Sequence, residues 1–411
     1  MAPAGGGDAE GAARGKRFVS IADAPGGAGL PPLTPADAAR GFEQGPIRPP
    51  SEARSLIVRV IRNCTWNRCT FCPVYKGTKS SLRPLEDVLA DVDAMAAAAA
   101  VLRERGMSAV REGELPKEAY QVALFLSDGA RHAFLQDADP CAVKPEKLAA
   151  VIRRVGERFP SVDRVTTYGR ASTLARRTEA QLALLVDAGL TRVHLGLESG
   201  ADEVLMAIDK GCTGGDLIAA GEKVVGAGLE LCFYLMPGLG GRAAAAAHVA
   251  GSARVIRAVA AAAPAERPLV VRLRTAAVVP GTPLAEREAA GEFTLPDDVE
   301  VAQELRDLLE ALGDARLELR SDHVLNLLPD LQGSLPADSE RLLAMLDEFL
   351  ALPPAEQGRF AVGARLGLFR RLADRLDPER AAALDRQLDG YRDPSPDELL
   401  QAATALRSRF I

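Results

Sequence analysis

Short hydrophobic runs alternate with longer amphipathic segments along most of the chain. The runs are rich in Val, Ile and Leu, and they predict strands at 55–62, 121–127, 164–167, 192–197, 229–236 and 269–275. The amphipathic segments between them predict helices at 83–105, 145–158, 179–188, 214–227 and 242–262. Strands that alternate with helices of this length indicate parallel βαβ units.

Six such units predict an α/β fold, a partial (β/α)6 TIM-like barrel at 54–294, although periodicity alone leaves a doubly wound sheet open. Further along, the pattern changes. A helix at 298–312 and a strand at 316–319 predict an extension of the barrel at 295–335. An α-helical C-terminal region is predicted at 336–411. Its helices are expected at 339–352, 359–375, 378–388 and 396–410.

Composition and charge restrict the possible partners. The chain has 411 residues, 47% of them hydrophobic, and a formal net charge of −6. Because no dense block of Lys and Arg appears, duplex nucleic acid is not predicted as a partner, whereas an RNA held by a local patch stays open. No apolar stretch reaches the length of a membrane span.

The N-terminal segment 1–53 is rich in Gly, Ala and Pro and predicts a flexible leader. It lacks the basic start and the apolar core of a signal peptide. We therefore expect a cytoplasmic protein.

Three of the six cysteines fall within nine residues, in the loop after the first predicted strand. These are Cys64, Cys69 and Cys72, whereas Cys141, Cys212 and Cys232 are scattered. Clustered cysteines in a reducing compartment more often bind metal than form disulfides. A structural zinc would need a fourth, distant ligand. Three thiolates on a [4Fe–4S] cluster would instead leave one iron open, and a dithiol redox pair at Cys69 and Cys72 is a further alternative.

This loop resembles that of the radical SAM superfamily. The usual spacing there is C-x3-C-x2-C after the first strand of a partial barrel, whereas this chain has C-x4-C-x2-C with the aromatic Phe71 before the last cysteine. The resemblance implies that the three cysteines hold a [4Fe–4S] cluster whose open iron binds S-adenosyl-L-methionine (SAM). It also implies a one-electron donor such as flavodoxin or ferredoxin, and a 5′-deoxyadenosyl radical that abstracts hydrogen from substrate.

Further motifs stand at the ends of the later strands, and the resemblance gives them roles toward SAM. Near the second strand, Asp137 and Asp139 are additional candidates for the methionyl ammonium. The Gly-Leu-Glu-Ser-Gly motif starting at Gly196 is the most specific of the set. The implied cofactor-binding residues are Ser127, Asp128 and Gly129 after the second strand, Tyr168 and Arg170 after the third, Glu198 in the fourth, and Met236, Pro237 and Gly238 after the fifth.

Candidate substrate residues lie on the faces of the last strands. Strand alternation places His194 on the polar, inward face of the fourth strand, and it groups Arg272 with Arg274 on the sixth. Paired inward arginines indicate an anionic or polar group on the substrate. His194 is equally compatible with a satisfied interior histidine.

The sequence therefore predicts a radical SAM enzyme that acts on an unidentified small-molecule or macromolecular substrate. Dehydrogenation or decarboxylation, C–C coupling, methyl transfer and RNA modification all stay open as reactions. Sulfur insertion is disfavoured because the scattered cysteines lack the spacing of a second cluster. The alternative is a non-catalytic zinc or Fe–S protein whose helical tail docks a partner.

Overall fold

An eight-stranded sheet forms the centre of the computed structural model, which describes residues 30–389 and 394–408. The first seven strands of the sheet pair in parallel, and the last is antiparallel to its neighbour. A two-stranded antiparallel hairpin, β2 with β3, branches off after the first strand. In chain order the strands are β1 (Leu56–Arg59), β2 (Ile61–Arg62), β3 (Ser81–Leu82), β4 (His132–Gln136), β5 (Arg164–Gly169), β6 (Leu190–Glu198), β7 (Glu230–Leu235), β8 (Leu269–Leu273), β9 (Leu317–Arg320) and β10 (Gly333–Leu335).

Helices connect the parallel strands and cover the outer face of the sheet. Those of the first part of the chain are α1 (Pro35–Ala39), α2 (Leu85–Arg105), α3 (Ser108–Arg111), α4 (Ala119–Ser127), α5 (Pro145–Arg158), α6 (Ala171–Leu174), α7 (Glu179–Ala188) and α8 (Asp202–Ala207). The later ones are α9 (Gly214–Gly226), α10 (Ala245–Ala262), α11 (Pro283–Ala289), α12 (Asp298–Leu312), α13 (Ser339–Leu350), α14 (Pro354–Arg365), α15 (Pro378–Leu388) and α16 (Pro396–Arg407). The predicted α/β class, with a mostly parallel sheet and a helical C-terminal region, is confirmed.

The two faces of the sheet differ in chemistry. On β6, Val193, Leu195 and Leu197 belong to the main hydrophobic core beneath the helices. His194 lies on the other, inner face, where its ring meets those of Tyr168 and Tyr234 at centroid distances of 6.0 and 5.9 Å. The division follows from strand alternation, as predicted, and it leaves the inner face for polar and aromatic side chains.

The second strand lies further along the chain than predicted. Residues 121–127 belong to α4, in which Val122 and Phe125 are buried three positions apart. The strand is β4, and its register places Phe134 beside Ile57 of β1. The run of apolar residues in α4 has no clear period, so packing against α2 rather than local pattern decides its structure.

Residues 30–53 pack against the barrel, although the sequence assigned them to a flexible leader. Gln136 of β4 accepts a hydrogen bond from the amide N of Gly45 at 2.6 Å, and the side chain of Glu52 is buried. The leader prediction is therefore corrected for residues 30–53, and its remainder lies outside the described residues.

The C-terminal helices pack on α12 and on one another. The helix predicted at 359–375 is two elements, since α14 ends at Arg365 and a 3-10 helix spans Leu372–Leu376. Asp298 at the start of α12 forms buried ion pairs with Arg365 and Arg407, which tie this region to the barrel extension. Within the part of the chain that is described, no helix has the length and hydropathy needed to cross a membrane.

Candidate active site

The three clustered cysteines lie in the cysteine loop (residues 63–80), between β2 and β3 at the carboxyl edge of the sheet. Backbone hydrogen bonds fix the middle of this loop. The amide N of Thr70 donates to the carbonyl O of Ile208 at 2.9 Å, and the amide N of Leu284 donates to the carbonyl O of Thr70 at 3.1 Å. The loop is therefore held between the segments that follow β6 and β8.

Cys69 and Cys72 pack against a small hydrophobic cluster at this edge. Its buried members include Phe71, Ile208, Met236, Leu239 and Leu284. Burial raises the pKa of Cys69 to about 11, with the charge of Lys210 opposing the rise, and burial also raises the pKa of Cys72. Both groups are thus neutral thiols until a metal takes the place of the proton.

The first cysteine stands at the start of a turn shaped by asparagine. The amide N of Asn67 donates to Sγ of Cys64 at 3.4 Å, and Asn67 adopts a positive φ of 50°. Its side-chain amide donates to the carbonyl O of Thr78 at 2.9 Å, so it closes the loop on itself. Among residues 30–389 and 394–408, no three His, Cys, Asp or Glu side chains converge on the position of a single metal ion.

Trp66 locks the cysteine loop onto the turn after β6. Its indole N–H donates to the carbonyl O of Asp209 at 2.6 Å. The guanidinium groups of Arg68 and Arg170 lie 4.8 and 5.0 Å from the ring centroid. Gly211 has a φ of +72°, and a Cβ there would lie 2.4 Å from the indole, so only glycine fits this contact.

Glu198 and Lys210 form a buried ion pair next to the cysteine loop. Oε1 of Glu198 lies 2.8 Å from Nζ of Lys210. Although burial lowers the pKa of Lys210, the charge of Glu198 raises it overall, so the lysine stays protonated. A Cβ at Gly196 would lie 2.2 Å from Oε1 of Glu198, which explains the glycine of the Gly-Leu-Glu-Ser-Gly motif.

Two buried aspartates after β4 connect its end to the cysteine loop. Asp137 accepts hydrogen bonds from the hydroxyl of Tyr75 and from Nη2 of Arg59, the latter at 2.8 Å. Asp139 accepts from Oγ1 of Thr65 at 3.1 Å. Burial raises the pKa of both carboxyl groups, and these hydrogen bonds oppose the rise. The sequence indicated the position of both residues, whereas their partners in the cysteine loop were not predicted.

Ser127, Asp128 and Gly129 are far from these groups. They end α4 and precede the amino end of β4, whereas the cysteine loop follows the carboxyl end of the parallel neighbour β1. Their predicted contact with the cofactor is wrong, because it depended on a strand at 121–127. The corresponding edge of the sheet is occupied by the two aspartates after β4.

The other predicted cofactor residues do lie on the carboxyl side of the sheet. Tyr168 stands on the inner face, with its ring perpendicular to that of Phe134 at 5.0 Å. Arg170 donates through Nη2 to the carbonyl O of Lys210 at 3.0 Å. Met236, Pro237 and Gly238 form the turn after β7, and Met236 is buried in the small hydrophobic cluster.

A chain of buried polar groups connects the turns after β6 and β7. Oγ of Ser199 lies 2.8 Å from Nδ1 of His248, and Nε2 of His248 lies 3.5 Å from Oε1 of Glu304. The amide N of Gly238 donates to the same carboxyl oxygen at 2.8 Å. Burial raises the pKa of Glu304 to about 7 and lowers that of His248 to about 4, so the two are not an ion pair at neutral pH. No motif in the sequence marks Glu304.

His194 is part of a polar network at the amino side of the inner face. Its Nε2 lies 3.3 Å from Oε1 of Glu52, which also binds Nη2 of Arg164 at 2.7 Å. The hydroxyl of Ser55 donates to the second oxygen of Glu52 at 2.5 Å. Burial lowers the pKa of His194, so at neutral pH the neutral ring donates from Nε2 to the carboxylate. Nδ1 of His194 has no partner among the described residues, and its predicted substrate role stays a prediction.

The two arginines of β8 have different surroundings. Arg272 is buried and forms an ion pair with Asp322 in the loop after β9. Arg274 follows the end of β8, and its Nε is buried without a hydrogen-bond partner within residues 30–389 and 394–408. Both stand at the carboxyl end of β8, and their predicted contact with substrate stays a prediction.

Residues 58–245 match the family model of the Radical SAM superfamily. The chain carries a radical SAM domain. Domains of this superfamily bind a [4Fe–4S] cluster and SAM, so these two cofactors are assigned to the domain at 58–245, whose subfamily is unidentified. None of the curated proteins matches the chain significantly.

Solved structures resemble this chain at low sequence identity. Elp3 of the archaeon Methanocaldococcus infernus is 17% identical with a TM-score of 0.40, covering 50% of this chain and 52% of its own. The cobalamin-dependent S-adenosylmethionine radical enzyme OxsB is 12% identical with a TM-score of 0.41, covering 87% and 58%. TsrM from Kitasatospora setae, a radical S-adenosylmethionine methyltransferase with cobalamin and a [4Fe–4S] cluster bound, is 16% identical with a TM-score of 0.42, covering 83% and 62%. The chain thus spans between about half and three fifths of the length of these proteins.

Proposed function

We propose that Cys64, Cys69 and Cys72 hold the [4Fe–4S] cluster of this radical SAM enzyme and that SAM occupies the iron without a protein ligand. The observation that carries the proposal is the position of three thiols in one fixed loop at the carboxyl edge of the sheet, beside the Glu198–Lys210 pair. Three soft donors without a fourth suit a cluster with one open corner. When bound, the two cofactors supply a 5′-deoxyadenosyl radical that abstracts hydrogen from substrate.

The protein's own residues then orient SAM and exclude water. The carboxylate of Glu198 is held by Lys210 at 2.8 Å and faces the cysteine loop, where it can accept hydrogen bonds from ribose hydroxyls. The turn formed by Met236, Pro237 and Gly238 offers a flat apolar edge for adenine. Because the amide N of Gly238 already donates to Glu304 and its carbonyl O accepts from the amide N of Gly241 at 3.1 Å, the turn would meet the ligand mainly through its apolar surface.

The aspartates after β4 have a supporting role in this proposal. Asp137 and Asp139 bind the side chains of Tyr75 and Thr65, which flank the cysteines along the chain. They fix the cysteine loop against β4, and this contact preserves the geometry of the thiols before a cluster is assembled. Substrate would enter over the inner face, between the cysteine loop and the loop after β9.

Anaerobic reconstitution with iron and sulfide tests the proposal. The protein should become brown and bind about four irons per chain, as a tetranuclear cluster requires. With dithionite and SAM it should release 5′-deoxyadenosine and methionine. A colourless protein with one zinc per chain, or a brown one that leaves SAM intact, would contradict the proposal.

A further inference from the structure

One arginine on the inner face carries a charge that the described residues leave uncompensated. Nε of Arg274 is buried and has no hydrogen-bond partner within residues 30–389 and 394–408, and none of the ion pairs in those ranges includes it. The side chain is half-buried, and an Nε–H that gives up water without gaining an acceptor is costly. A ligand that brings a negative group would remove this cost, so the position indicates a binding site.

Arg274 stands where three elements meet. Its amide N donates to the carbonyl O of Leu235 at the end of β7 at 2.9 Å. The amide N of Thr275 donates to Oδ1 of Asn326 in the loop after β9 at 2.9 Å. Ala276 belongs to the small hydrophobic cluster against which the cysteine loop packs. The segment that carries Arg274 therefore lies between β7, the loop after β9 and the cysteine loop.

The neighbouring polar groups add hydrogen-bond donors. The hydroxyl of Tyr234 and Nε of Arg272 are buried and have no partner among the described residues. Nδ1 of His323 accepts a hydrogen bond from the amide N of Leu325 at 3.2 Å, and burial lowers the pKa of this histidine to about 4, so the neutral ring carries its proton on Nε2, which is then a donor. Tyr234 and Arg272 are in register on adjacent strands, so their free donors lie on the same face of the sheet.

The acidic residues nearby are already paired. Asp322 binds Arg272, and Glu198 binds Lys210 at 2.8 Å. Neither of these two carboxylates is therefore left to neutralise Arg274.

From this arrangement we infer that the substrate carries an oxyanion group, a carboxylate or a phosphate, which binds Arg274. The inference rests on the proposed function, because it places the substrate next to the cysteine loop. Arg272, Tyr234 and His323 complete the donor set around the anion. The guanidinium of Arg274 fits either oxyanion through two parallel hydrogen bonds.

Calorimetric titration of the reconstituted, oxidised enzyme with saturating SAM tests the inference, with inorganic phosphate and acetate as the probes. The variant is Arg274→Gln, which keeps most of the volume and removes the charge. Arg320→Gln is the matched control. It removes the same charge from the adjacent strand, where Arg320 is half exposed and already bound to Glu318 at 2.9 Å.

Arg274→Gln should weaken binding of the preferred anion by about tenfold, the size expected for one charge-assisted hydrogen bond. Arg320→Gln should leave it unchanged, and neither variant should change the affinity for SAM. Tighter binding of phosphate than of acetate would assign a phosphate group, and the reverse a carboxylate. Equal anion affinity in both variants, no anion binding by the unaltered enzyme, or a tenfold loss of SAM affinity in Arg274→Gln would overturn the inference. Failure of the unaltered protein to bind four irons and SAM would instead refute the proposed function.

Discussion

The two halves of the inner face use buried charge in opposite ways. On the amino side, Glu52 is bound by Arg164, His194 and Ser55, and its side chain is fully buried. On the carboxyl side, Arg274 has a buried nitrogen without a partner in the described residues. The same sheet thus carries a carboxylate whose charge is compensated by Arg164 and a guanidinium, that of Arg274, whose charge no ion pair among the described residues compensates.

This difference separates stability from function. A buried carboxylate with three partners holds the N-terminal segment against β5 and β6, and nothing further can bind to it. Cys69 and Cys72 are neutral buried thiols in the free protein, whereas Nε of Arg274 has lost water without gaining an acceptor, and a bound anion would offset that cost. We therefore expect substitutions on the amino side to lower the stability of the fold. Substitutions on the carboxyl side should instead abolish binding of the cofactors or the substrate.

Replacement of the clustered cysteines should have the largest effect. Cys64→Ala, Cys69→Ala or Cys72→Ala should each reduce iron from about four per chain to below about one, because each removes one of three thiolates. Unfolding in urea should change little, since the loop is held by backbone hydrogen bonds and by Trp66. Iron analysis and circular dichroism after reconstitution measure both quantities.

The remaining cysteines are the controls for that experiment. Cys141 and Cys232 are fully buried in the barrel, and Cys212 lies in the turn before α9. Cys141→Ala, Cys212→Ala and Cys232→Ala should retain the iron. Equal iron loss in these variants would show that the ligands differ from those proposed.

Sequence patterns predict helices well where local chemistry marks both ends. The helix predicted at 179–188 is α7 with the same bounds, because Thr178 caps its start and Gly189 ends it with a φ of +111°. Helix α5 likewise begins at Pro145, as predicted. At these positions local chemistry and the fold agree, so no tertiary information is needed.

The error at 121–127 has the opposite cause. Its consecutive apolar residues fit a strand as well as a helix, and the helical structure depends on contacts with α2 about 25 residues earlier. Three predicted cofactor residues were misplaced in consequence. When the strand is assigned to the wrong segment, residues that are expected at its carboxyl end lie instead at the amino edge of the sheet.

In the candidate site, motifs predicted the groups but not their partners. The cysteines and Glu198 are recognisable because their neighbours along the chain form a pattern. Glu52 and Asp322 are not, since they meet His194 and Arg272 across 142 and 50 residues. Only the three-dimensional structure distinguishes Arg272, which is paired with Asp322, from Arg274, which has no ion pair among the described residues.

Replacement of Glu52 should have the second largest effect, on stability. Glu52→Ala leaves Arg164 and His194 buried without their acceptor, and removal of one partner from a buried charge pair costs about 3–5 kcal/mol. Urea unfolding should report this loss, while the folded fraction should still bind iron in full. Arg105→Ala is the control, because its partners Glu112 and Glu114 are exposed, and it should cost about 0.5 kcal/mol or less. Loss of iron from folded Glu52→Ala would break the comparison between the two sides.

The smallest effect on stability is expected from Glu304, which lies between the two sides. This effect depends on pH. The pKa of Glu304 rises from 4.5 to about 7 on folding, mainly through burial, and the charge of Asp307 adds to the rise. Between these two values the unfolded chain has released the proton and the folded protein has kept it. Stability therefore falls as pH increases through this range, by up to about 3 kcal/mol.

Glu304→Gln removes this dependence, since an amide does not titrate and still accepts the hydrogen bond from Gly238. The variant should match the unaltered protein at pH 4.5 and exceed it in unfolding free energy at pH 8. Burial lowers the pKa of His248 to about 4, and that histidine makes its own contribution in both proteins, which cancels when the two urea curves are subtracted. A difference in unfolding free energy that does not change from pH 4.5 to 8 would mean that Glu304 is ionised in the folded protein throughout. The polar chain from Ser199 to Glu304 would then resemble the ionised, charge-compensated network around Glu52 and not the uncompensated Arg274.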